Sequence, residues 1–225
     1  MSPTAPKEPA HLSTYRGIRA LILSGDLVPG EPVTIQGLTD RLGAGMTPVR
    51  EAIRRLTSEG ALIFHGNRRV TVPVLTLPQV DELIFARLAL EPELARRAAD
   101  RITGAEIDAL EMVDAGIDAA MRAGDTRSYM IRNHRFHMQL YAPAGTEVIA
   151  PIVEALWLRS APALRVMCAR FGTQNLPDMH VAALAALRAG DPEAVAEAIR
   201  HDILQGMDNV RNLIREAMQH SALGA

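Results

Sequence analysis

The chain has 225 residues, of which 48% are hydrophobic and 22% charged, and its formal net charge is −2. This composition predicts one or two globular domains with their own cores and excludes a chain that is disordered throughout. The single cysteine, Cys168, excludes an internal disulfide, and the absence of CxxC spacing favours a reducing compartment. No apolar run reaches about 18 residues and the N-terminal stretch has no apolar core, so we expect neither export nor membrane insertion, and a cytoplasmic protein.

Charge is distributed unevenly along the chain. Residues 1–75 hold nine basic and six acidic side chains, a net charge of +3, whereas the remainder has a net charge of −5. Such a difference between two halves is typical of a nucleic-acid-binding module joined to a module with another task.

The first half predicts three short helices. Residues 13–24 show helical spacing of apolar side chains and are followed by a glycine. After a segment rich in glycine and proline, Thr34 is expected to cap a second helix that ends near residue 42. Thr47 and Pro48 predict the N-cap and first turn of a third helix that ends near residue 59.

The third helix has two chemically different faces. At about 100° per residue, Thr47, Arg50 and Arg54 share one arc, and the apolar side chains share another about 130° away. Two short apolar runs follow, ALIFH and VTVPV, and the intervening GNRR predicts a hairpin whose tip carries Arg68 and Arg69. This pattern is typical of a winged helix-turn-helix, in which the third helix enters the major groove of DNA. The simpler alternative is a solvated arginine face.

The run from IRALILSGDLVPGE to TPVREAIRRLTSEGALIFHGNRRVTV resembles the winged helix-turn-helix of GntR-family transcription regulators. The resemblance implies that Thr47 and Arg50 contact DNA, with Arg54, Asn67 and Arg68 as lesser candidates. The predicted hairpin tip adds Arg69 to this expected DNA surface. This sequence has Met46 where many members have a polar or basic residue, and Arg69 where the hairpin usually has glycine. These departures imply a different operator sequence.

The second half predicts an all-helical bundle, because no strand-like alternation occurs beyond residue 75. The expected helices cover 77–101, 105–123, 126–141, 146–171, 179–189 and 192–217. We therefore expect a mainly α protein with a flexible tail (1–11), a winged helix-turn-helix (12–74), a linker (75–79) and a helical domain for effector binding and dimerisation (80–225). Residues 73–78 contain two prolines and are the expected hinge.

Several polar residues fall on the apolar stripes of these helices. Arg87 and Glu91 lie on one stripe, where an intrahelical ion pair and a ligand-facing role explain them equally well. A second set comes from three other helices and consists of Asn133, His137, His180 and Asp202. On the last helix the periodicity places Asp202 on the core stripe and His201 elsewhere.

Nitrogen and oxygen donors converging from three helices suit a divalent ion such as zinc, nickel or manganese. Each residue taken alone is more commonly a core or solvated residue. The remaining polar residues are interpreted as solvated helix faces, and this set comprises Arg96, Arg97, Arg101, Asp108, Glu111, Asp114 and Asp118. Trp157 and Met167 are interpreted as core, and four histidines are left unassigned: His11, His65, His134 and His220.

Three segments resemble the FCD ligand-binding domain of FadR-like GntR regulators: RLALEPELARRAA, NHRFHMQLYAPAG and MHVAALAALRAGDPEAVAEAIRHDI. The metal-binding members have an aspartate and a histidine four residues apart, followed by two further histidines. This chain has Asn133 in place of the aspartate and Asp202 in place of the last histidine, so the negative charge is kept at a different position. The resemblance also implies a small organic acid as effector, with Arg87 as partner of its carboxylate and Glu91 beside it.

These observations predict a ligand-responsive transcription regulator, with repression expected, that binds a pseudo-palindromic DNA operator as a homodimer. One alternative is an architectural DNA-binding dimer without an effector. A metal-dependent hydrolase is a weaker alternative, because Glu91 is the single candidate base near the inferred ligands and no GxSxG motif occurs. We therefore expect no enzyme.

Overall fold

A computed structural model describes residues 8–66, 69–171 and 178–223. The predicted fold class is confirmed: a small helix-and-sheet unit precedes a helical bundle. The helices are α1 (Ala10–Leu23), α2 (Ile35–Leu42), α3 (Met46–Ser58), α4 (Leu77–Ala99), α5 (Gly104–Arg122), α6 (Thr126–Tyr141), α7 (Ile149–Phe171), α8 (Met179–Ala189) and α9 (Pro192–Leu223). The strands are β1 (Pro32–Val33), β2 (Ile63–His65) and β3 (Arg69–Thr71), and a 3-10 turn covers Ala142–Ala144.

The N-terminal unit packs α1, α2 and α3 on a three-stranded antiparallel sheet with strand order β1-β3-β2. Val70 in the central strand lies opposite Val33 on one side and Phe64 on the other. The core of this unit contains the fully buried side chains of Ile18 and Leu56. Strand β1 is an element that the sequence analysis missed, because two residues are too short to show alternation.

Two helix starts in the N-terminal unit differ from the predicted ones. Helix α3 begins at Met46 with Gly45 as its N-cap, so Thr47 lies inside the first turn and does not cap it. Helix α1 begins at Ala10, three residues before its predicted start at residue 13. Most of the predicted linker is helical as well: the Thr76 side chain and Gln79 form a capping box that starts α4.

The bundle has its own core, formed by α4 to α9 and centred on large buried side chains such as Phe136, Leu94 and Ile199. Thr103 starts α5 through a second capping box. Pro162 lies inside α7, which nevertheless continues to Phe171. No helix in the described part of the chain combines the length and apolar character needed to cross a bilayer.

Helix α7 joins the two units, because Leu158 belongs to the core of the N-terminal unit although its helix is part of the bundle. Two ion pairs also link the two units. Arg19 of α1 pairs with Glu154 of α7 at 2.7 Å, and Asp26 pairs with Arg127 of α6 at 3.0 Å. The N-terminal unit is therefore docked against α6 and α7, the helices that carry part of the polar cluster described below.

Candidate functional site

Three arginines line one groove between α3 and the sheet. Arg50 and Arg54 from α3 face Arg69 from β3 across this groove, and all three are exposed. None of them forms an ion pair with another described residue, whereas Arg55 on the same helix pairs with Glu59 at 2.9 Å. Unpaired guanidinium groups on one helix and the neighbouring strand form a surface that suits phosphates and guanine edges.

The remaining predicted DNA-contact residues do not all lie where the sequence placed them. Thr47 is exposed in the first turn of α3. The sequence predicts Arg69 at the hairpin tip. The structure instead places it at the start of strand β3, opposite His65 of β2. Asn67 and Arg68 lie outside the described residues. Phe64, which the sequence analysis took only as part of a strand, is 59% exposed and lines the same groove.

A cavity of about 270 Å³ opens within the bundle. Four of the predicted site residues line it: Arg87, Asn133, His180 and Asp202. His137 is fully buried in the wall behind them. The cavity wall also contains Trp157 and Met167, which are buried as expected for core residues but have one face toward the cavity.

Three donors converge at one end of the cavity. His137 Nε2 lies 3.4 Å from His180 Nε2 and 3.3 Å from a carboxylate oxygen of Asp202. His180 Nε2 lies 3.8 Å from the other Asp202 oxygen. His201, which the periodicity had placed away from the core, is exposed and pairs instead with Glu197.

The proton positions on His137 follow from its neighbours. Arg87 can only donate hydrogen bonds, so Glu91 accepts at 2.5 Å and 3.3 Å as a carboxylate. The Tyr141 hydroxyl donates its single proton to Glu91 at 2.9 Å. Burial, followed by the charge of Glu91, raises the pKa of Tyr141 well above its ordinary value, so the hydroxyl keeps that proton. His137 Nδ1, 3.1 Å from the hydroxyl oxygen, must therefore donate.

The second histidine is oriented by Asp114. His180 Nδ1 lies 3.1 Å from a carboxylate oxygen of Asp114, which is 7% exposed. The interpretation of Asp114 as part of a solvated helix face is thus wrong. Burial lowers the pKa of His180, but the hydrogen bond to Asp114 and the charge of Asp202 outweigh it, so the pKa is raised overall.

With both Nδ1 atoms donating, the neutral imidazoles direct two Nε2 lone pairs and the Asp202 carboxylate at one point. Such an arrangement is repulsive unless a proton or a cation lies between the donors. Although burial would raise the pKa of Asp202, its contacts with His137 and His180 lower it to about 2, so the group is ionised. These three residues fit a divalent cation, and the half-buried Asn133 amide lies on the same cavity wall.

The Glu91 carboxylate is already occupied by three hydrogen-bond donors, so it is not available to a ligand. Its carboxylate accepts from Arg87, from the Tyr141 hydroxyl and from the Trp157 indole N–H at 3.1 Å, and it is fully buried outside the cavity lining. The Arg87 guanidinium carbon lies 4.4 Å from the centre of the Trp157 ring. Arg87 itself reaches the cavity wall, whereas Glu91 is its counter-ion.

A second group of possible ligands adjoins the first and contains Asp114, Asp178 and His180. The Asp178 side chain is exposed and already accepts from the Val181 N–H at the start of α8. This group is therefore explained by the cap and by the orientation of His180.

The comparisons with known proteins agree with this architecture. Residues 11–72 match the model of bacterial regulatory proteins of the gntR family, and residues 82–205 match the FCD domain. The chain is 27% identical to the HTH-type transcriptional regulator McbR of Escherichia coli K12, over 81% of this chain and 84% of McbR. It is 26% identical to the HTH-type transcriptional repressor RspR of the same organism, over 94% and 93% of the two chains.

A solved structure of E. coli McbR/YncC superposes with a TM-score of 0.85 and 25% identity, covering 92% of this chain and 99% of that one. The two domain matches follow one another in the same order as the two structural units. The chain therefore belongs to the gntR family of bacterial transcription regulators, in the branch with a C-terminal FCD domain.

Proposed function

We propose that this protein is a ligand-responsive repressor whose bundle cavity binds a small carboxylate through a divalent metal ion, and whose winged helix binds an operator. The observation that carries the proposal is the convergence of the His137 and His180 lone pairs on Asp202, beside a cavity large enough for a small metabolite. The relatives named above as regulators support the same general activity.

The metal would be held by His137, His180 and Asp202, with the Asn133 amide oxygen as a further neutral ligand. Zinc, nickel and manganese all accept such nitrogen and oxygen donors, and a bound ion would supply open positions for a ligand carboxylate. Arg87 is the cationic side chain placed to orient that carboxylate. Glu91, which the sequence analysis placed in the effector site, keeps Arg87 in position and does not contact the ligand.

On the DNA side, the exposed face of α3 with Thr47, Arg50 and Arg54 would enter the major groove, and Arg69 would contact the flanking backbone. One short helix reads few base pairs, so a homodimer on a two-fold operator doubles the contact surface. The ligand releases DNA only if it binds the DNA-incompetent arrangement more tightly than the competent one.

Operator binding is tested by fluorescence anisotropy, with the upstream DNA of the protein's own gene and a scrambled duplex at two salt concentrations. Specific binding by the parent is expected, and Arg50→Ala should weaken it by about 1–3 kcal/mol, or roughly 5- to 150-fold. Arg55→Ala is the matched control, because Arg55 pairs with Glu59 on another face of the same helix.

Equal and steeply salt-dependent binding to both duplexes would contradict operator recognition at this DNA and favour the architectural alternative. An Arg50→Ala variant with the affinity of the parent would show that the groove is not the DNA surface.

Metal binding is tested with zinc, nickel and manganese salts on protein stripped by a chelator. Trp157 is the single tryptophan of the chain and lies 4.8 Å from the His137 ring, so its fluorescence reports on the site. His137→Ala should abolish stoichiometric binding, whereas His201→Ala, on the exposed face of α9, should leave it unchanged. Equal metal content in His137→Ala and the parent would refute the site.

A further inference from the structure

Tyr141 and Asp114 each contact the Nδ1 atom of one histidine of the cluster. We propose that Asp114 and Tyr141 are positioning residues that lock His180 and His137 in the tautomer with a bare Nε2, and thereby set the affinity for the divalent ion. This inference rests on the proposed metal site, but its tautomer component is measurable on metal-free protein.

The lock on His137 is a chain of hydrogen bonds that can run in one direction only. Arg87 and the Trp157 indole have no acceptor, so Glu91 receives protons from both. The Tyr141 hydroxyl can then satisfy Glu91 only as a donor. The hydroxyl has no second proton, so it can accept only the Nδ1–H of His137, and Nε2 is left bare.

The proton position on His180 is fixed independently, by Asp114 of α5 and not by the residues around His137. Asp114 Oδ1 lies 3.1 Å from Nδ1, and an ionised carboxylate accepts only. The Phe136 ring stacks on the imidazole with ring centres 4.1 Å apart, which fixes the plane of the ring. A 180° turn of the ring would keep this stacking but would lose the hydrogen bond to Asp114.

The two locks have a common consequence for the cation. A histidine that ligates through Nε2 binds more strongly when Nδ1–H donates to a carboxylate or another fixed acceptor, and loss of such a partner typically costs 10- to 100-fold in affinity. Here one partner is a carboxylate and the other is a phenol backed by a carboxylate. The site therefore has its ligand atoms oriented before the ion arrives.

The direct test is the nitrogen-15 NMR spectrum of the histidine rings in metal-free protein, at a pH where the imidazoles are neutral. His137 and His180 should both show a protonated Nδ1 and a bare Nε2. Tyr141→Phe should convert His137 to a mixture of tautomers. Tyr15→Phe is the matched control, since the Tyr15 hydroxyl also donates to a carboxylate, that of Glu59, but lies in the N-terminal unit outside the cavity.

The second arm is a zinc titration competed by a chromophoric chelator. Tyr141→Phe and Asp114→Ala should each weaken zinc binding by about 10- to 100-fold. Asp114→Asn keeps an acceptor for Nδ1–H and should recover part of that loss. Asp108→Asn, on the exposed side of the same helix where it pairs with Arg188, should bind zinc like the parent. Circular dichroism of every variant checks that the fold is retained.

A protonated Nε2 on either ring of the parent would overturn the inference, as would Tyr141→Phe with unchanged tautomers and unchanged affinity. If the parent shows bare Nε2 atoms but does not bind zinc, nickel or manganese, the proposed metal site fails and the affinity part of the inference falls with it. The tautomer assignment would in that case stand alone, so the two failures are distinguishable.

Discussion

At the scale of single residues, the buried polar cluster depends on one buried ion pair, formed by Arg87 and Glu91. Glu91 is fully buried and is the partner of the Arg87 guanidinium. The pair costs desolvation free energy, but removing one member costs more because it leaves an unpaired charge in the core. The pair is therefore a requirement of the site rather than a general source of stability.

The buried Arg87–Glu91 pair predicts the effect of Glu91→Gln. Loss of the counter-ion of buried Arg87 should lower the free energy of unfolding by about 3–5 kcal/mol, measured by urea denaturation. The control is Glu93→Gln on the same helix, whose partners Arg96 and Arg97 are largely solvated, and which should cost a small fraction of that. Equal losses for the two variants would contradict the assignment.

His134 provides a pH prediction. Burial, with smaller contributions from the charges of His137 and Arg19, lowers the pKa of His134 to about 4, and its Nε2 has no hydrogen-bond partner among the described residues. The folded pKa of His134 lies below the unfolded value of about 6.5. The stabilisation that comes from keeping this imidazole neutral is therefore fully present above about pH 6.5 and is lost as the pH decreases toward 4.

The expected loss from His134 between pH 7.5 and pH 5 is about 2 kcal/mol. His134→Phe keeps a flat ring against Trp157, whose centre lies 5.4 Å away, but cannot be protonated. The variant should lose less stability over this pH interval than the parent, with both proteins in chelator so that metal release does not contribute. Identical pH dependence in the two proteins would contradict the prediction.

Helical periodicity was sufficient to orient the residues that lie on apolar stripes, which is why His137, His180 and Asp202 could be predicted to face inward. Asp114 was missed although it lies seven residues after Ile107 and on the same stripe. The acidic residues that surround it in the sequence obscured the pattern. The role of Tyr141 depends on contacts between helices, which periodicity does not contain.

At the scale of elements, α6 and α8 were predicted to the residue, because each begins at an aspartate cap and ends at a clear boundary. Errors arose where the local signal was ambiguous. At α3 both Gly45 and Thr47 are acceptable caps, and the glycine adopts the extended conformation that starts the helix. Helix α9 continues past residue 217 because its C-terminal sequence contains no helix breaker before the end of the helix at Leu223.

The start of α6 carries the prediction at this scale. Arg127 in its first turn holds Asp26 in the turn after α1 with three hydrogen bonds of 3.0–3.1 Å, and these bonds lower the pKa of Asp26. Since α6 also carries Asn133 and His137, this pair connects a helix of the proposed metal site with the DNA-binding unit.

Arg127→Gln should therefore reduce the change in operator affinity that zinc produces, by about two- to fivefold, because the connection between the two units is looser. The cost in stability should be under about 1 kcal/mol, since the Arg127 side chain is 57% exposed. Arg122→Gln is the control, because Arg122 lies 3.9 Å from Asp118 within the bundle. The same zinc effect in both variants would contradict a role for this contact.

At the scale of the whole molecule, adjacent residues of α7 face two different environments. Trp157 lines the cavity, and Leu158 is buried in the core of the DNA-binding unit. Arg165, two turns later, packs on Gly25, which has φ of 70° and where a β-carbon would overlap the arginine side chain. A movement of α7 in response to a ligand would thus be felt directly by the winged helix.

The sequence could not predict this arrangement. Trp157 and Leu158 are both large apolar residues in a helix that is apolar on most sides, so the pattern indicates burial but not the partner. Docking of one unit on another depends on the shape of two finished surfaces, and the predicted hinge at residues 73–78 suggested more independence than the shared core allows.

The shared core predicts cooperative unfolding. In the parent, urea curves from Trp157 fluorescence, which reports on the bundle, and from circular dichroism, which reports on all helices, should coincide. Leu158→Ala should destabilise the DNA-binding unit by about 2–5 kcal/mol and separate the curves, because that unit then melts first. Leu156→Ala, which removes a bundle side chain from the same helix, should shift the fluorescence curve instead. Curves that still coincide in Leu158→Ala would show that the two units are joined by contacts other than α7.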